Sequence, residues 1–284
     1  MIKRNKMKGF TLIELAIVLV IVGLLVGGVL QGQELIKQSQ IRSVVSQVQE
    51  MDTAINTFRA KYSQYPGDIS NASAFGINCP RGVVCNGTND NVSDVVAAGT
   101  DGSDGDGDGD FNLEDYHADA TDETAYDTYG GEIANFWVHL SNTLLVRGNY
   151  IQTDDCSTAC GAVVGTNFPS SPIGNGMIAL SEAGRVFWVI GTGTSVADLD
   201  GGAADADSPT AQQLTPEEAY GLDSKLDDGA PDSGIVRATA SYNVAADGFF
   251  ADDTTGGNGC FTAAGTYALA TEAKRCTIRV RASG

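Results

Sequence analysis

The stretch KGFTLIELAIVLVIVGLLVGG, from Lys8 to Gly28, decides how this chain folds. Between Phe10 and Leu30 the only charged residue is Glu14. A helix of that length covers about 31 Å, which is enough to cross the hydrocarbon core of a bilayer. Basic residues precede the apolar run, and this order predicts that the start of the chain stays in the cytoplasm while the remainder crosses the membrane.

The carboxylate of Glu14 is the unusual feature of this segment. An ionisable side chain at hydrocarbon depth costs at least about 2.5–3.5 kcal/mol, and such groups persist mainly where they meet a partner and serve a function. The sequence therefore marks Glu14 as a candidate functional residue.

Two ordinary interpretations of the segment account for part of it. A secretory signal peptide has the same basic start and apolar run, but this run is too long for an ordinary signal core, and no good small-x-small cleavage site closes it. A plain membrane anchor has the right length. It leaves Glu14 and the Lys8-Gly9-Phe10 junction without a role.

A third interpretation rests on the residues KGFTLIE, numbers 8–14. They resemble the prepilin signature of type IV pilins and type II secretion pseudopilins. The resemblance implies that a prepilin peptidase cuts after Gly9, that the new N-terminal residue Phe10 is methylated, and that the apolar helix polymerises into a filament. It also implies that Glu14 meets the N-terminal amine of a neighbouring subunit, since opposite charges attract far more strongly at low dielectric than in water.

The resemblance also sets the expected function, partners and location. It implies a structural subunit, not an enzyme, in a homo-oligomeric helical filament. The precursor would lie in the bacterial inner membrane, and a pilus or secretion assembly platform would handle it. The first expectation is an extracellular type IV pilus-like fibre, of the kind used in adhesion, and the second is a periplasmic pseudopilus used in protein secretion. A membrane-tethered hydrolase with an acidic site is the alternative from another class.

Beyond the apolar run, a helical stripe predicts that the same helix continues to about Ser63. Its apolar residues recur at intervals of three and four: Ile41, Val44, Val48, Met51, Ile55, Phe58 and Tyr62. Tyr65-Pro66-Gly67 predicts the end of the helix. The predicted organisation is a leader at 1–9, a transmembrane and filament-core helix at 10–30, its amphipathic continuation at 31–65, and a globular head at 66–284.

The charge of the chain is strongly acidic. The formal net charge is −19, and leaving out the four basic residues ahead of the apolar run gives −23 for the rest. Such a surface repels phosphate backbones, so the bulk of the head is not expected to bind nucleic acid.

The six cysteines are spaced as three local pairs. The pairs are Cys79 with Cys85, Cys156 with Cys160, and Cys260 with Cys276. Beyond a membrane segment, this arrangement favours three disulfides formed in an oxidising compartment over a metal site or catalytic thiols. Because six cysteines allow 15 connectivities, this pairing is the most economical of several.

An Asp- and Gly-rich stretch, TDGSDGDGDGDFNLEDY at 100–116, has the spacing of a calcium loop. The candidate ligands are Asp104, Asp106, Asp108, Asp110, Asn112 and Asp115. In a twelve-residue loop they alternate as ligands for one ion, with Gly109 at the sharp turn and Phe111 as apolar anchor. The loop resembles those of dockerin modules, which also end in Asp, and implies structural calcium. A solvated acidic loop is the alternative.

The rest of the chain predicts an α+β head with an antiparallel sheet. Residues 130–148 carry a helical apolar face that includes Leu144, with Gly148 as the stop. Residues 177–190 read as a hairpin. Thr215-Pro216-Glu217-Glu218 predicts a capped helix, and RCTIRVRAS at the end predicts a strand held by Cys276.

The sequence holds little that favours catalysis. It has two histidines, His117 and His139. It contains no zinc-protease motif, no serine-hydrolase motif and no phosphate-loop motif. The weak GxGxxA match at 174–179 leads into strand-like residues, the reverse of the context that dinucleotide binding needs. Three aspartates at 223, 227 and 228 are a second cation candidate, for which a solvated helix end is the favoured interpretation.

Overall fold

The structure is a computed structural model, and it describes residues 11–77, 107, 109, 111, 131–151, 162–173, 176–182, 184–192, 195–196, 213–239, 259–262 and 264–283. The chain divides into two compact units, Met1–Gln40 and Ile41–Gly284.

Helix α1 runs from Leu12 to Tyr62, as the sequence predicted. Within the second unit its stripe is buried, at Ile41, Val44, Val48, Met51, Ala54, Ile55 and Phe58. The helix ends where Ser63 takes a left-handed conformation (φ +63°), just before the Tyr65-Pro66 pair. The periodicity therefore identified both the helix and the face that joins the core.

The remaining elements confirm the α+β prediction. The helices are α2 (Gly131–Asn142) and α3 (Pro216–Leu226), with a 3₁₀ turn at Ser73–Phe75. The strands are β1 (Ala162–Val163), β2 (Gly176–Glu182), β3 (Arg185–Thr192), β4 (Ser195–Val196), β5 (Val236–Thr239) and β6 (Thr277–Arg281). Strands β2, β3, β6 and β5 form an antiparallel sheet in that order, and β1 pairs with β4.

Alternation along the strands gives the four-stranded sheet two different faces. On one face, Trp188 of β3 lies opposite Val280 of β6, which lies opposite Val236 of β5. All three are buried, and the Trp188 ring lies 5.8 Å from that of Phe136 in α2. This face and the stripe of α1 belong to one apolar core.

Most local predictions in this unit are confirmed. The hairpin is β2–β3, the C-terminal strand is β6, and Thr215 with Glu218 forms the predicted capping box of α3. Strands β1, β4 and β5 were not predicted.

The predicted extension of α2 to Gly148 is wrong. The helix ends at Asn142, the Leu144 N–H bonds back to the Ser141 carbonyl at 3.0 Å, and Leu144 adopts φ +60°. The tightened turn and left-handed residue turn Leu144 away from the core, and its side chain is 88% exposed.

Of the predicted disulfides, Cys260–Cys276 is confirmed, with the two Cα atoms 5.0 Å apart. It joins the segment at 259–262 to the residue that precedes β6. The pairs Cys79–Cys85 and Cys156–Cys160 lie outside the described residues.

Asp52 joins α1, β3 and the C-terminal segment by hydrogen bonds. Its Oδ1 accepts the indole N–H of Trp188 at 2.7 Å. Its Oδ2 accepts the backbone N–H of Ser283 at 3.2 Å and the hydroxyl of Ser283 at 2.7 Å. Because Trp188 is buried, its N–H depends on Asp52 for an acceptor in the folded chain.

We expect Asp52→Ala to lower the free energy of unfolding by about 1–3 kcal/mol, because a buried donor is left without an acceptor. The measurement is chemical or thermal unfolding of the detergent-solubilised chain. Glu50→Ala is the matched control, since Glu50 is an exposed carboxylate on the same helix. Equal stability of the two variants would contradict this role of Asp52.

Candidate assembly and processing site

Glu14 lies in the first turn of α1 and forms a capping box with Thr11. Its Oε2 accepts both the backbone N–H and the hydroxyl of Thr11 at 2.8 Å. The Glu14 N–H in turn donates to Thr11 Oγ1 at 3.3 Å. The sequence analysis missed this arrangement, although Thr-x-x-Glu before an apolar run is its known signature. Glu14 therefore has a local role, which is to satisfy donors at the start of the helix.

The apolar part of α1 in the first unit is exposed. Every large apolar residue between Leu12 and Leu30 is exposed to solvent, with an exposed fraction from 48% at Val22 to 89% at Leu12. Such a continuous surface is not stable in water and requires lipid or other protein around it. In the described part of the chain, α1 is the one helix long and apolar enough to cross a membrane. These features fit a membrane-anchored precursor.

The two residues of the predicted cleavage junction, Gly9 and Phe10, lie outside the described residues. Cleavage and methylation there stay predictions.

The calcium-loop ligands also lie outside the described residues, but three residues between them are described. Gly109 has φ +98°, the conformation that the turn position requires, and its N–H donates to Asp68 Oδ1 at 3.3 Å. Phe111 is fully buried, and its ring lies 5.0 Å from that of Phe136. The backbone N–H of Phe111 also donates to the hydroxyl of Ser181. The predicted anchor is thus part of the core.

His139 is a packed core residue. It is buried, its Nδ1 accepts the N–H of Gly67 at 2.8 Å, and its ring stacks on Phe58. It fixes the chain just after α1 to α2 and takes part in no catalytic arrangement of described residues.

The three aspartates at the end of α3 bring their carboxylates within 4.8 Å of one another. Asp223 accepts the Tyr267 hydroxyl at 2.8 Å and the Gly229 N–H at 3.1 Å. Asp227 accepts the backbone N–H groups of Ile235 and Val236. Asp228 accepts the backbone N–H of Ala230 and the hydroxyl of Ser233. The cluster is a hydrogen-bonded end of the helix.

The prediction of a solvated helix end is wrong for Asp223, which is fully buried. Burial raises the pKa of Asp223 from 3.8 to about 6, the carboxylates of Asp228 and Asp227 add to the rise, and the bonds from Tyr267 and Gly229 oppose it. Because the folded state favours the protonated acid, this residue contributes stability below about pH 4 that is lost as the pH rises through 6.

Between pH 4 and pH 7 we expect the free energy of unfolding of the native chain to fall by up to about 3 kcal/mol relative to that of Asp223→Asn. The reason is that the native carboxyl titrates and the amide does not. Unfolding curves at both pH values measure it. Asp232→Asn, which changes an exposed carboxylate nearby, should show a difference that is flat with pH. A flat difference for Asp223→Asn as well would mean that the folded protein does not perturb this carboxyl.

Comparison with known proteins finds a family motif in the first part of the chain. No curated protein and no solved structure matches the sequence. Residues 4–30 match the family described as the prokaryotic N-terminal methylation motif. This range contains the Lys8-Gly9-Phe10 junction, the Thr11–Glu14 capping box and the exposed apolar run. The chain therefore carries the type IV pilin and pseudopilin signature at its N-terminus.

Proposed function

We propose that this protein is a structural subunit of a type IV pilus-like filament, cleaved after Gly9, methylated at Phe10 and polymerised through the apolar part of α1. The carrying observation is that the methylation motif at 4–30 coincides with the start of α1, where every large apolar side chain from Leu12 to Leu30 is exposed. The motif points to a structural protein, and an apolar surface of this extent needs the same helix from other subunits once it leaves the lipid.

Glu14 has the chemistry for contact between subunits. Both of its described bonds end on Oε2, so the Oε1 lone pairs can accept from a second molecule. Cleavage after Gly9 would create an α-amino cation at Phe10, and attraction between this cation and a neighbour's Glu14 would be strong in the apolar surroundings of packed helices. In this proposal, Glu14 sets the stagger of adjacent subunits.

We expect Glu14→Ala to leave cleavage intact and to reduce filament formation at least tenfold, since the charge contact between subunits is lost. Thr11→Ala is the control that separates the two roles of Glu14, because it removes the capping hydroxyl and keeps the carboxylate. The measurement is the amount of protein in filaments sheared from cells. If Thr11→Ala reduces assembly as strongly as Glu14→Ala, the effect of Glu14 comes from capping alone.

Mass spectrometry of the N-terminal peptide tests the proposed processing and location. A methylated Phe10 peptide that is abundant in the sheared surface fraction would support a surface pilus. The same peptide confined to washed membranes would favour a type II secretion pseudopilin, which shares the motif. An intact Gly9–Phe10 bond in the mature protein would overturn both and favour a plain anchor.

The acidic loop at 104–115 is proposed to hold one structural calcium ion outside the cytoplasm. Two described features support it, the left-handed Gly109 at the turn position and the buried Phe111 at the anchor position. An ion bound there would order a loop whose carboxylates otherwise repel one another. No catalytic role is assigned to it.

We expect calcium at millimolar concentration to raise the unfolding temperature by several degrees, because a ligand that binds only the folded state stabilises it. The double variant Asp104→Asn/Asp106→Asn should lose this response, whereas Asp232→Asn should keep it. Calorimetric unfolding with and without chelator is the measurement. An equal response in all three proteins, or none in the native chain, would remove the calcium proposal.

A further inference from the structure

Asp68 is a buried carboxylate in the turn that follows α1. Its side chain is only 1% exposed, and the turn at 66–69 is buried throughout. In this turn the N–H of Gly67 donates to His139 Nδ1 at 2.8 Å, and Asp68 Oδ1 accepts the N–H of Gly109 at 3.3 Å. The carboxylate is therefore fixed between the end of α1 and the acidic loop.

The described residues of the acidic loop lie against this turn. Gly109 holds the sixth of the twelve places, where the chain turns sharply, and it is the residue that Asp68 binds. Phe111 holds the eighth place, and its ring lies 6.0 Å from that of Tyr65, just before the turn. The middle of the loop is thus seated on the segment that contains Asp68.

The acidic loop can offer Asp68 backbone donors or a bound ion, but no basic side chain. Between Arg81 and Arg147 the sequence has no lysine or arginine. A twelve-residue loop that wraps one ion keeps its places close to that ion, so a carboxylate bonded to the sixth place lies close to it as well. A divalent cation attracts a carboxylate far more strongly in buried surroundings than in water.

We propose that Asp68 belongs to the calcium site, where its buried charge adds to those of the loop carboxylates and raises the affinity for the ion. Its bond to Gly109 holds the sharp turn of the loop in place. This inference rests on the proposed calcium binding and extends it to a residue well before the loop. The number of charges around the ion is one of the quantities that set calcium affinity. The alternative is that Asp68 only holds the turn, with or without an ion.

The variant Asp68→Asn separates the two roles, because the amide keeps an oxygen for the Gly109 N–H and lacks the charge. We expect its dissociation constant for calcium to rise at least about tenfold, measured by titration calorimetry on the detergent-solubilised chain. The matched control is Asp232→Asn, which removes an exposed carboxylate and should bind calcium as the native chain does. The difference between the two variants should persist at about 1 M salt, which screens exposed charges and leaves buried ones largely unscreened.

Unfolding temperatures with chelator and with calcium give a second readout. The charge of Asp68 attracts the ion, but it repels the loop carboxylates when the ion is absent. The native chain should therefore exceed Asp68→Asn in unfolding temperature by more with calcium than with chelator. An equal loss in both conditions would assign Asp68 to holding the turn alone and would overturn the proposal.

The titrations also separate a failure of this inference from a failure of the calcium proposal. If the native chain does not bind calcium, both are wrong. If the native chain binds calcium and Asp104→Asn/Asp106→Asn does not, while Asp68→Asn keeps the native affinity, the loop site stands and the role of Asp68 is wrong. Equal weakening by Asp68→Asn and Asp232→Asn would also overturn the inference, since the effect would then come from the net charge of the chain.

Discussion

The constraint on which this protein depends is that one continuous helix, Leu12–Tyr62, carries two incompatible surfaces. Its first part is apolar on all sides and is exposed, and a stripe from Ile41 to Phe58 is buried in the core of the second unit. A helix that is apolar all round requires lipid or other protein on every side, whereas an amphipathic stripe requires one folded partner. The two parts of the helix therefore require different surroundings.

Glu14 has a folding role in the structure and would have an assembly role in the proposed function. The capping bonds to Thr11 satisfy donors at the start of α1, where water is scarce in a membrane. A carboxylate held in this way has a fixed orientation before any neighbour arrives, so less conformational entropy is lost when a cation binds it. The local contact thus prepares the proposed contact between subunits and does not compete with it, because a carboxylate can accept several donors.

The sequence predicted the features that depend on near neighbours along the chain. The period of the α1 stripe, the capping box at Thr215 and Glu218, and the β2–β3 hairpin all follow from local patterns, and the structure has them. The short strand β5 was missed because its four residues carry no pattern of their own and become a strand by pairing with β6. The end of α2 was missed because Leu144 fits the helical face yet lies beyond a tightened turn.

Features that depend on tertiary structure escaped the sequence analysis for a related reason. Asp223 is buried because Tyr267 supplies a donor from a distant part of the chain, and without that donor a carboxylate at a helix end would be solvated. Five arginines from α1, β3, β5 and β6 likewise come to line two adjoining cavities. A net charge of −23 describes the chain beyond the leader but conceals this local reversal of sign. Of the candidate assembly site, Glu14 and the apolar helix were predicted from the sequence, whereas the capping bonds to Thr11 were found only in the structure.

The surroundings of the proposed Glu14 contact between copies have a physical consequence. Glu14 would act among apolar helices, where dissolved ions do not penetrate and salt screens the attraction far less than it screens exposed charges. Around the acidic remainder of the chain the Debye length is about 8 Å at physiological ionic strength, so repulsion between exposed charges of neighbouring copies weakens as salt is added. If the proposed contact holds copies together, added salt should therefore leave their attraction in place while it reduces their mutual repulsion.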